Sequence, residues 1–375
     1  GASYSWQQAA ILVAGLAATA AMVVGSLAVC LIVPVFSLFA ALFSGYFLFF
    51  RHGVEAGMAM PFLSILFFAA VQLVSSYRRI GQERRFIREA FSLNVSPSIL
   101  GYLENHPDRI SSLQGESRDM SVIFTDIRGF TAISEKMRAL ELARFLNEYF
   151  TPMSEIIIGH MGTVDKFIGD GLMAFWNAPA DNPNHARDAA LAALGMIERL
   201  KDLQADWTWR GLPEIAIGCG INSGTMFAGY MGSAQRKNYT VMGDNVNIAS
   251  RLENLNKVYS STILISEATR AAIGNDFVCR VTDKVRVSGK QSSILIYELL
   301  RHGEATEEER EELAAFSRVF DLYLMREFDA AESLLNELTF IRQAPIYRLF
   351  LDRLAVYKAM PPPPDWDGTF FARHK

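Results

Sequence analysis

The chain has 375 residues, 50% of them hydrophobic and 20% charged, with 36 Lys and Arg against 40 Asp and Glu and a formal net charge of -4. This mild acidity gives no electrostatic footprint for nucleic acid. Three cysteines (Cys30, Cys219 and Cys279) are too few and too scattered for a disulfide framework or a zinc site, so any metal is expected on oxygen ligands.

The mean hydropathy is +0.15, and the apolar excess is local: within residues 1–77 only Arg51 and Glu55 are charged. Residues 6–50 carry no charge, and at roughly 20 apolar residues per span they have room for two membrane helices, with residues 56–77 as a third. A signal peptide has a shorter apolar core and is not followed by two further spans. Residues 1–77 are therefore expected to be a three-helix transmembrane anchor. Arg78, Arg79, Arg84, Arg85 and Arg88 follow directly, which by the positive-inside rule places the rest of the chain in the cytoplasm. The chain opens Gly-Ala-Ser rather than on Met, which reads as an expression scar or a truncation, and more sequence is expected upstream.

Residues 78–116 are expected to be cytoplasmic connecting helices, with Ile80, Phe86, Ile87, Ala90 and Phe91 as an apolar stripe. Ser96 as N-cap and Pro97 at the first helical position mark a new helix start. From residue 117 to 300 strand and helix signals alternate. Residues 120–124 form an apolar run of strand length, 140–158 have helical spacing, and 162–176 read as a hairpin around Gly169-Asp170-Gly171. A helix follows over 185–203, then strands over 215–222 and 225–230 around Ser223-Gly224, a tight-turn dipeptide. Strand, helix, hairpin, helix, strand is the order of a ferredoxin-like α+β sandwich. Residues 301–375 read as a small helical appendage ending in the stiff run Pro361 to Pro364 on the surface.

The chemistry is concentrated in Phe124-Thr125-Asp126-Ile127-Arg128-Gly129-Phe130-Thr131 and, 40 residues on, Lys166-Phe167-Ile168-Gly169-Asp170-Gly171. An Asp at the end of a buried strand, followed by a glycine turn into a helix, sets a carboxylate beside free backbone N–H groups, an arrangement that binds metal and phosphate together. A second Asp on a hairpin tip beside that strand gives two converging carboxylates, able to hold two divalent cations about 3.5–4 Å apart. Asn247 and Arg251 are four residues apart on a helix starting near Asp244, so they share one face. Arg251 offers a fixed fork of donors for phosphate oxygens that gain charge. The ordinary alternatives are a capping or turn role for either Asp, an Arg251–Glu253 ion pair, and a merely solvated Lys290.

These two segments, together with residues 239–253 (Tyr-Thr-Val-Met-Gly-Asp-Asn-Val-Asn-Ile-Ala-Ser-Arg-Leu-Glu) and Val287-Ser288-Gly289-Lys290, resemble the class III nucleotidyl cyclases. The resemblance covers residues 117–300, with four motifs in the family's order. It implies that Asp126 and Asp170, with the Ile127 carbonyl, hold two Mg²⁺ or Mn²⁺ per active site. It further implies that Gly129, Phe130 and Thr131 bind substrate, Lys166 and Thr240 bind the base, Asn247 and Arg251 act on the ribose and α-phosphate, and Lys290 holds the terminal phosphates. In the family the two sets come from opposite protomers, so a homodimer with two shared sites is implied.

Lys166 only donates hydrogen bonds, which suits adenine N1, and a Thr240 hydroxyl can accept from the adenine amino group. The chain therefore looks like an adenylate cyclase making cyclic AMP and pyrophosphate from ATP. Relatives that make cyclic GMP carry Glu where this chain has Lys166. The spans, the Ser-Pro helix and the Pro-Pro-Asp-Trp-Asp-Gly ending resemble bacterial receptor-type cyclases of the inner membrane that carry a periplasmic CHASE-type sensor. The Lys and Thr pair also marks a subgroup often stimulated by bicarbonate. A catalytically silent membrane receptor or scaffold and a guanylate cyclase are the alternatives. A diguanylate cyclase lacks its Gly-Gly-Asp/Glu-Glu-Phe signature here, and no ionisable residue inside the spans marks a transport path.

Overall fold

A computed structural model describes residues 115–233, 237–286 and 293–370, together with isolated helical positions between Phe39 and Arg78. The chain divides into two units, Gly1–Ala90 and Phe91–Lys375. In the first, the described positions are helical and exposed, among them Phe39, Phe43, Phe50, Leu63 and Leu66. Among the described residues no helix is long and apolar enough to cross a membrane. Apart from those positions, the expected spans, the connecting helices before residue 115, and Lys290 lie outside the described residues.

The second unit is built on an eight-stranded sheet. Strand β1 (Glu116–Ile127) alternates in the way period-2 geometry demands: Met120 and Val122 join the core on one face, Ile123 and Ile127 the core on the other. A short helix α1 (Phe130–Ser134) and the long α2 (Ala139–Gly159) follow, and α2 buries Phe145, Tyr149, Met153 and Ile157, spaced four apart along one stripe. The hairpin β2 (Thr163–Ile168) and β3 (Gly171–Trp176) comes next, with every residue of β3 buried. Helix α3 (His185–Trp209) lays Ala189, Ala190, Ala192 and Ala193 against the same sheet face as α2, small side chains that permit close approach. Strand β4 (Ile217–Gly232) then pairs antiparallel with β1. The order β2-β3-β1-β4, antiparallel throughout, is the ferredoxin-like arrangement the element order predicts.

β4 differs from expectation. Instead of two strands about a turn at Ser223-Gly224, it runs unbroken, because its ladder with β1 continues across that point: Ser121 faces Ser223 and Met120 faces Gly224. The Ser223 hydroxyl is held by Ser121 Oγ at 2.6 Å and Thr269 Oγ1 at 3.0 Å. The glycine gives clearance rather than a turn, since a Cβ on Gly224 would stand 2.8 Å from Asn245 Nδ2.

Beyond β4 the chain forms β5 (Lys237–Met242) against β4, helix α4 (Asp244–Tyr259), β6 (Ile263–Ser266) parallel to β4, the short α5 (Glu267–Ala272), and the hairpin β7 (Phe277–Arg286) and β8 (Ser293–His302). Helix α4 packs Val246 and Ala249 on Met120, Val122, Met173 and Phe175, and its later turns on Leu264, Val285 and Ile296.

The appendage is three helices, α6 (Glu307–Leu324), α7 (Phe328–Ile341) and α8 (Pro345–Ala359), around Phe316, Tyr323, Tyr347 and Phe350. Thr306 and Glu309 close a reciprocal capping box at the start of α6. The appendage is keyed to the sheet by a buried ion pair: Arg353 Nη1 donates to Asp283 Oδ2 at 2.6 Å, and the Tyr259 hydroxyl donates to the same oxygen at 2.6 Å. The proline run is pinned rather than loose, because Arg326 donates to the carbonyls of Pro362, Pro363 and Pro364. The chain beyond it zips onto β7, with Phe370 N to Lys284 O at 2.8 Å and Arg286 N to Phe370 O at 3.2 Å.

Candidate active site

The two aspartates converge as expected. Asp126 stands at the end of β1, and Asp170 at the tip of the β2–β3 hairpin, whose Leu172 is in register with Thr125. A Cβ on Gly171 would meet Thr125 O at 2.6 Å and Asp126 Oδ1 at 3.6 Å, so glycine there is what lets the hairpin tip close on the β1 end. The Asp170 carboxyl is pushed up, first by burial and then by the neighbouring Asp126 charge, and it is partly offset by the Ile127 backbone N–H. Ile127 itself is buried and paired opposite Ile217. Gly129 adopts the left-handed conformation, φ 66°, that turns β1 into α1. Phe130 and Thr131 open that helix, where backbone N–H groups lack intrahelical partners.

This donor set fits divalent cations. It consists of oxygens only, and the mutual repulsion that raises Asp170 is what a cation between the carboxylates relieves. Among the described residues no group of three His, Cys, Asp or Glu side chains could hold a metal ion.

Lys166 and Thr240, 74 residues apart in sequence, also meet: Lys166 Nζ donates to Thr240 Oγ1 at 3.3 Å. The meeting follows from β5 lying against the sheet at β3, where Tyr239 and Phe175 have ring centroids 6.1 Å apart. Asn247 and Arg251 share α4, Asn247 exposed and Arg251 half-buried. Glu253 pairs not with Arg251 but with Arg128, at 3.5 Å.

In one chain the carboxylates and Asn247 do not face each other. Asn245 Nδ2 donates to Thr225 O at 2.9 Å, and Thr225 is in register with Asp119, at the far end of β1 from Asp126. The other end of α4 brings Lys257 to Asp126, and ten helical residues from Asn247 to Lys257 span roughly 15 Å. The carboxylates and Asn247 are therefore held at separate places on one chain.

Three further groups stand at the site. Lys257 Nζ lies 3.3 Å from Asp126 Oδ2. Glu253 is buried over Gly220, its carboxyl pushed up to about 7, chiefly by burial and then by Asp126. Its Oε1 and the Arg128 terminal nitrogens have no hydrogen-bond partner among the described residues, so their contact is an ion pair without hydrogen-bond alignment. Asp165 accepts from the Thr240 hydroxyl and pairs with Lys166 at 3.3 Å. Asp165 had a sequence signal in its place beside Lys166 and Glu253 in ending the 239–253 segment, whereas Lys257 had none; a regular strand would have pointed Asp165 to the face opposite Lys166.

The family profile described as the adenylate and guanylate cyclase catalytic domain matches residues 114–300. Residues 114–300 belong to this class of catalytic domains. Adenylate cyclase 1 of Rhizobium meliloti (strain 1021) is 38% identical over 183 residues, covering 49% of this chain and 28% of that protein. Adenylate cyclase of Anabaena cylindrica is 40% identical over 219 residues, 57% of this chain and 42% of that one. Among solved structures, the adenylyl cyclase CyaB from P. aeruginosa is 34% identical with a TM-score of 0.47, covering 50% of this chain and 96% of that chain. The chain thus spans less than half the length of these two curated relatives.

Proposed function

We propose that the protein is an adenylate cyclase that converts ATP to 3',5'-cyclic AMP and pyrophosphate in a homodimer with two shared sites. The observation that carries the choice of base is the Lys166–Thr240 pair at 3.3 Å. Lys166 presents a donor to adenine N1, and Thr240 presents an acceptor to the amino group. Carboxylates and the Asn247–Arg251 face lie apart on each chain, so a second copy, related by a two-fold axis, is needed to supply the missing half.

The reaction forms a bond from the ribose 3'-oxygen to the α-phosphorus and breaks the bond to the β-phosphate bridging oxygen, with the hydroxyl proton leaving to solvent. Asp126, Asp170 and the Ile127 carbonyl would hold divalent cations, which when bound would supply positive charge to acidify the 3'-hydroxyl and neutralise the triphosphate. The first turn of α1, from Gly129 to Thr131, offers backbone donors to phosphate. Asn247 orients the ribose, the Arg251 fork meets the charge that grows on the α-phosphate, and Lys290 holds the terminal phosphates.

The reading extends to a membrane-anchored cyclase of a bacterial inner membrane, with residues 1–77 as anchor, the catalytic domain in the cytoplasm, and a CHASE-type sensor upstream. The exposed apolar Phe39, Phe43, Phe50, Leu63, Leu66 and Val74 support an anchor, as does the arginine cluster from 78 to 88. Bicarbonate stimulation is the corresponding proposal for regulation.

The test incubates the purified protein with ATP or GTP and Mg²⁺ or Mn²⁺, with Asp126→Ala as control, and identifies products by chromatography. Cyclic AMP that vanishes in the variant supports the reading, and cyclic GMP in its place overturns the base assignment. No product from a chain that sediments as a dimer favours a silent scaffold. Membrane fractionation of the expressed chain tests the anchor, and turnover with added bicarbonate tests the stimulation.

A further inference from the structure

We infer that Asp165 is a specificity-determining positioning residue, which turns Thr240 into a pure acceptor and thereby makes the base pocket read adenine and reject guanine. This rests on the adenylate cyclase reading and deepens it.

A hydroxyl both donates and accepts, so Thr240 alone discriminates poorly: it can accept from the adenine amino group or donate to guanine O6. The structure removes that freedom. The Asp165 side chain is 0% exposed, and its two oxygens are divided between two partners. Oδ2 accepts the Thr240 hydroxyl proton, and Oδ1 pairs with Lys166 Nζ at 3.3 Å. Lys166 in turn donates to Thr240 Oγ1 at 3.3 Å. With its proton committed to Asp165 and one lone pair to Lys166, Thr240 has a single lone pair left, and it can only accept. Lys166 retains at least one of its three N–H donors.

The face offered to a base is therefore one donor beside one acceptor in fixed order. Adenine matches that order. Guanine in the same pose sets its O6 against an oxygen with no proton to give and its N1–H against an ammonium, and such polar mismatches are the strong route to rejection.

The arrangement depends on a β-bulge. The β2–β3 register shifts between Val164 and Lys166, with Asp165 the residue outside the ladder, so two adjacent side chains reach the same hydroxyl. Burial pushes the Asp165 carboxyl up, and its contacts with Thr240 and Lys166 oppose that rise.

The test compares kcat/KM for ATP and GTP in the full chain, wild type against Asp165→Asn, Asp165→Val, Thr240→Val and the Asp165→Val/Thr240→Val double variant. An amide has one oxygen where the carboxylate has two, so Asp165→Asn cannot serve both Lys166 and Thr240. Asp165→Asn is expected to lower the ATP to GTP preference at least about tenfold, mostly by gaining GTP turnover. Once Thr240 is Val, the further change Asp165→Val is expected to move the preference less than about twofold, because the two act as one unit. An unchanged preference in a folded Asp165→Asn overturns the inference, as does full additivity in the double variant. Should Asp165→Val fail to fold, Asp165→Asn with Thr240→Val closes an equivalent cycle. Failure of the underlying reading is separate: a dimeric wild type that makes no cyclic AMP overturns it. Asp165 is then judged by the relative affinity of wild type and Asp165→Asn for fluorescent ATP and GTP analogues, where equal ratios overturn it.

Discussion

Lys257 Nζ stands 3.3 Å from Asp126 Oδ2, joining the last turn of α4 to the end of β1 across 131 residues of sequence. The contact puts a fixed positive charge beside a carboxylate assigned to divalent cations, so lysine and metal compete for the same oxygen. Lys257→Gln removes the charge and keeps the length of the side chain. The variant is expected to reach half-maximal activity at a Mn²⁺ concentration about 3–10-fold lower than wild type, given the modest strength of half-exposed ion pairs. A metal titration of turnover, with thermal shift against Mn²⁺ as a second readout, checks this; an unchanged or weaker metal response contradicts the competition.

The Glu253 carboxyl, pushed up to about 7 mainly by burial, makes stability depend on pH. Its folded value lies above the unfolded glutamate value of about 4.3, so the folded state binds the extra proton in between. The stability is then fully present below about pH 4.3 and is lost as pH rises through about 7. Glu253→Gln cannot ionise and is expected to be flatter over this window. Urea denaturation of both proteins in chelator, at steps from pH 4.5 to 8, measures the slopes. Parallel curves refute the burial argument.

Shared sites predict complementation. Asp126→Ala and Arg251→Ala are each expected to be inactive, since each defect falls in both sites of a homodimer. In a mixed dimer one site carries both defects and the other carries neither. Co-expression in equal amounts should restore about a quarter of wild-type specific activity, half of the dimers being mixed and each having one of two sites intact. Persistent inactivity of verified mixed dimers would falsify the two-chain site.

The Arg353–Asp283 pair is deeply buried, at 8% and 0% side-chain exposure, and it also receives the Tyr259 hydroxyl at the end of α4. Removing one member leaves an uncompensated buried charge. Arg353→Ala is expected to cost on the order of 3–5 kcal/mol in chemical denaturation, and Arg353→Met with Asp283→Leu much less. The loss should also lower turnover, because Tyr259 ends the helix that carries Asn247 and Arg251. Denaturation midpoints and kcat on the same preparations decide both points.

Much of this was readable from the chain alone. The alternation of β1, the four-residue stripe of α2 and the glycine-bracketed hairpin are local patterns, set by strand period 2 and helix period 3.6, and they suffice to order the ferredoxin-like core. The motifs that resemble the cyclases lie at residue types whose chemistry is legible singly: carboxylates for metal, Arg251 for phosphate, Lys166 as a donor. The convergence of Asp126 and Asp170 was expected too, but other relationships that depend on register or approach had no local signal. Ser223-Gly224 has the composition of a turn, yet a continuous ladder with β1 keeps it extended. Asp165 and Lys166 alternate on paper, and only the bulge in β2 brings both to Thr240. Lys257 has no motif and meets Asp126 because the packing of α4 brings its last turn to the end of β1. Local propensity travels with the residue, whereas partnership between distant side chains is fixed by packing. The motif residues were therefore visible in the sequence, while the contacts of Lys257 with Asp126 and of Asp165 with Thr240 were decided by tertiary structure.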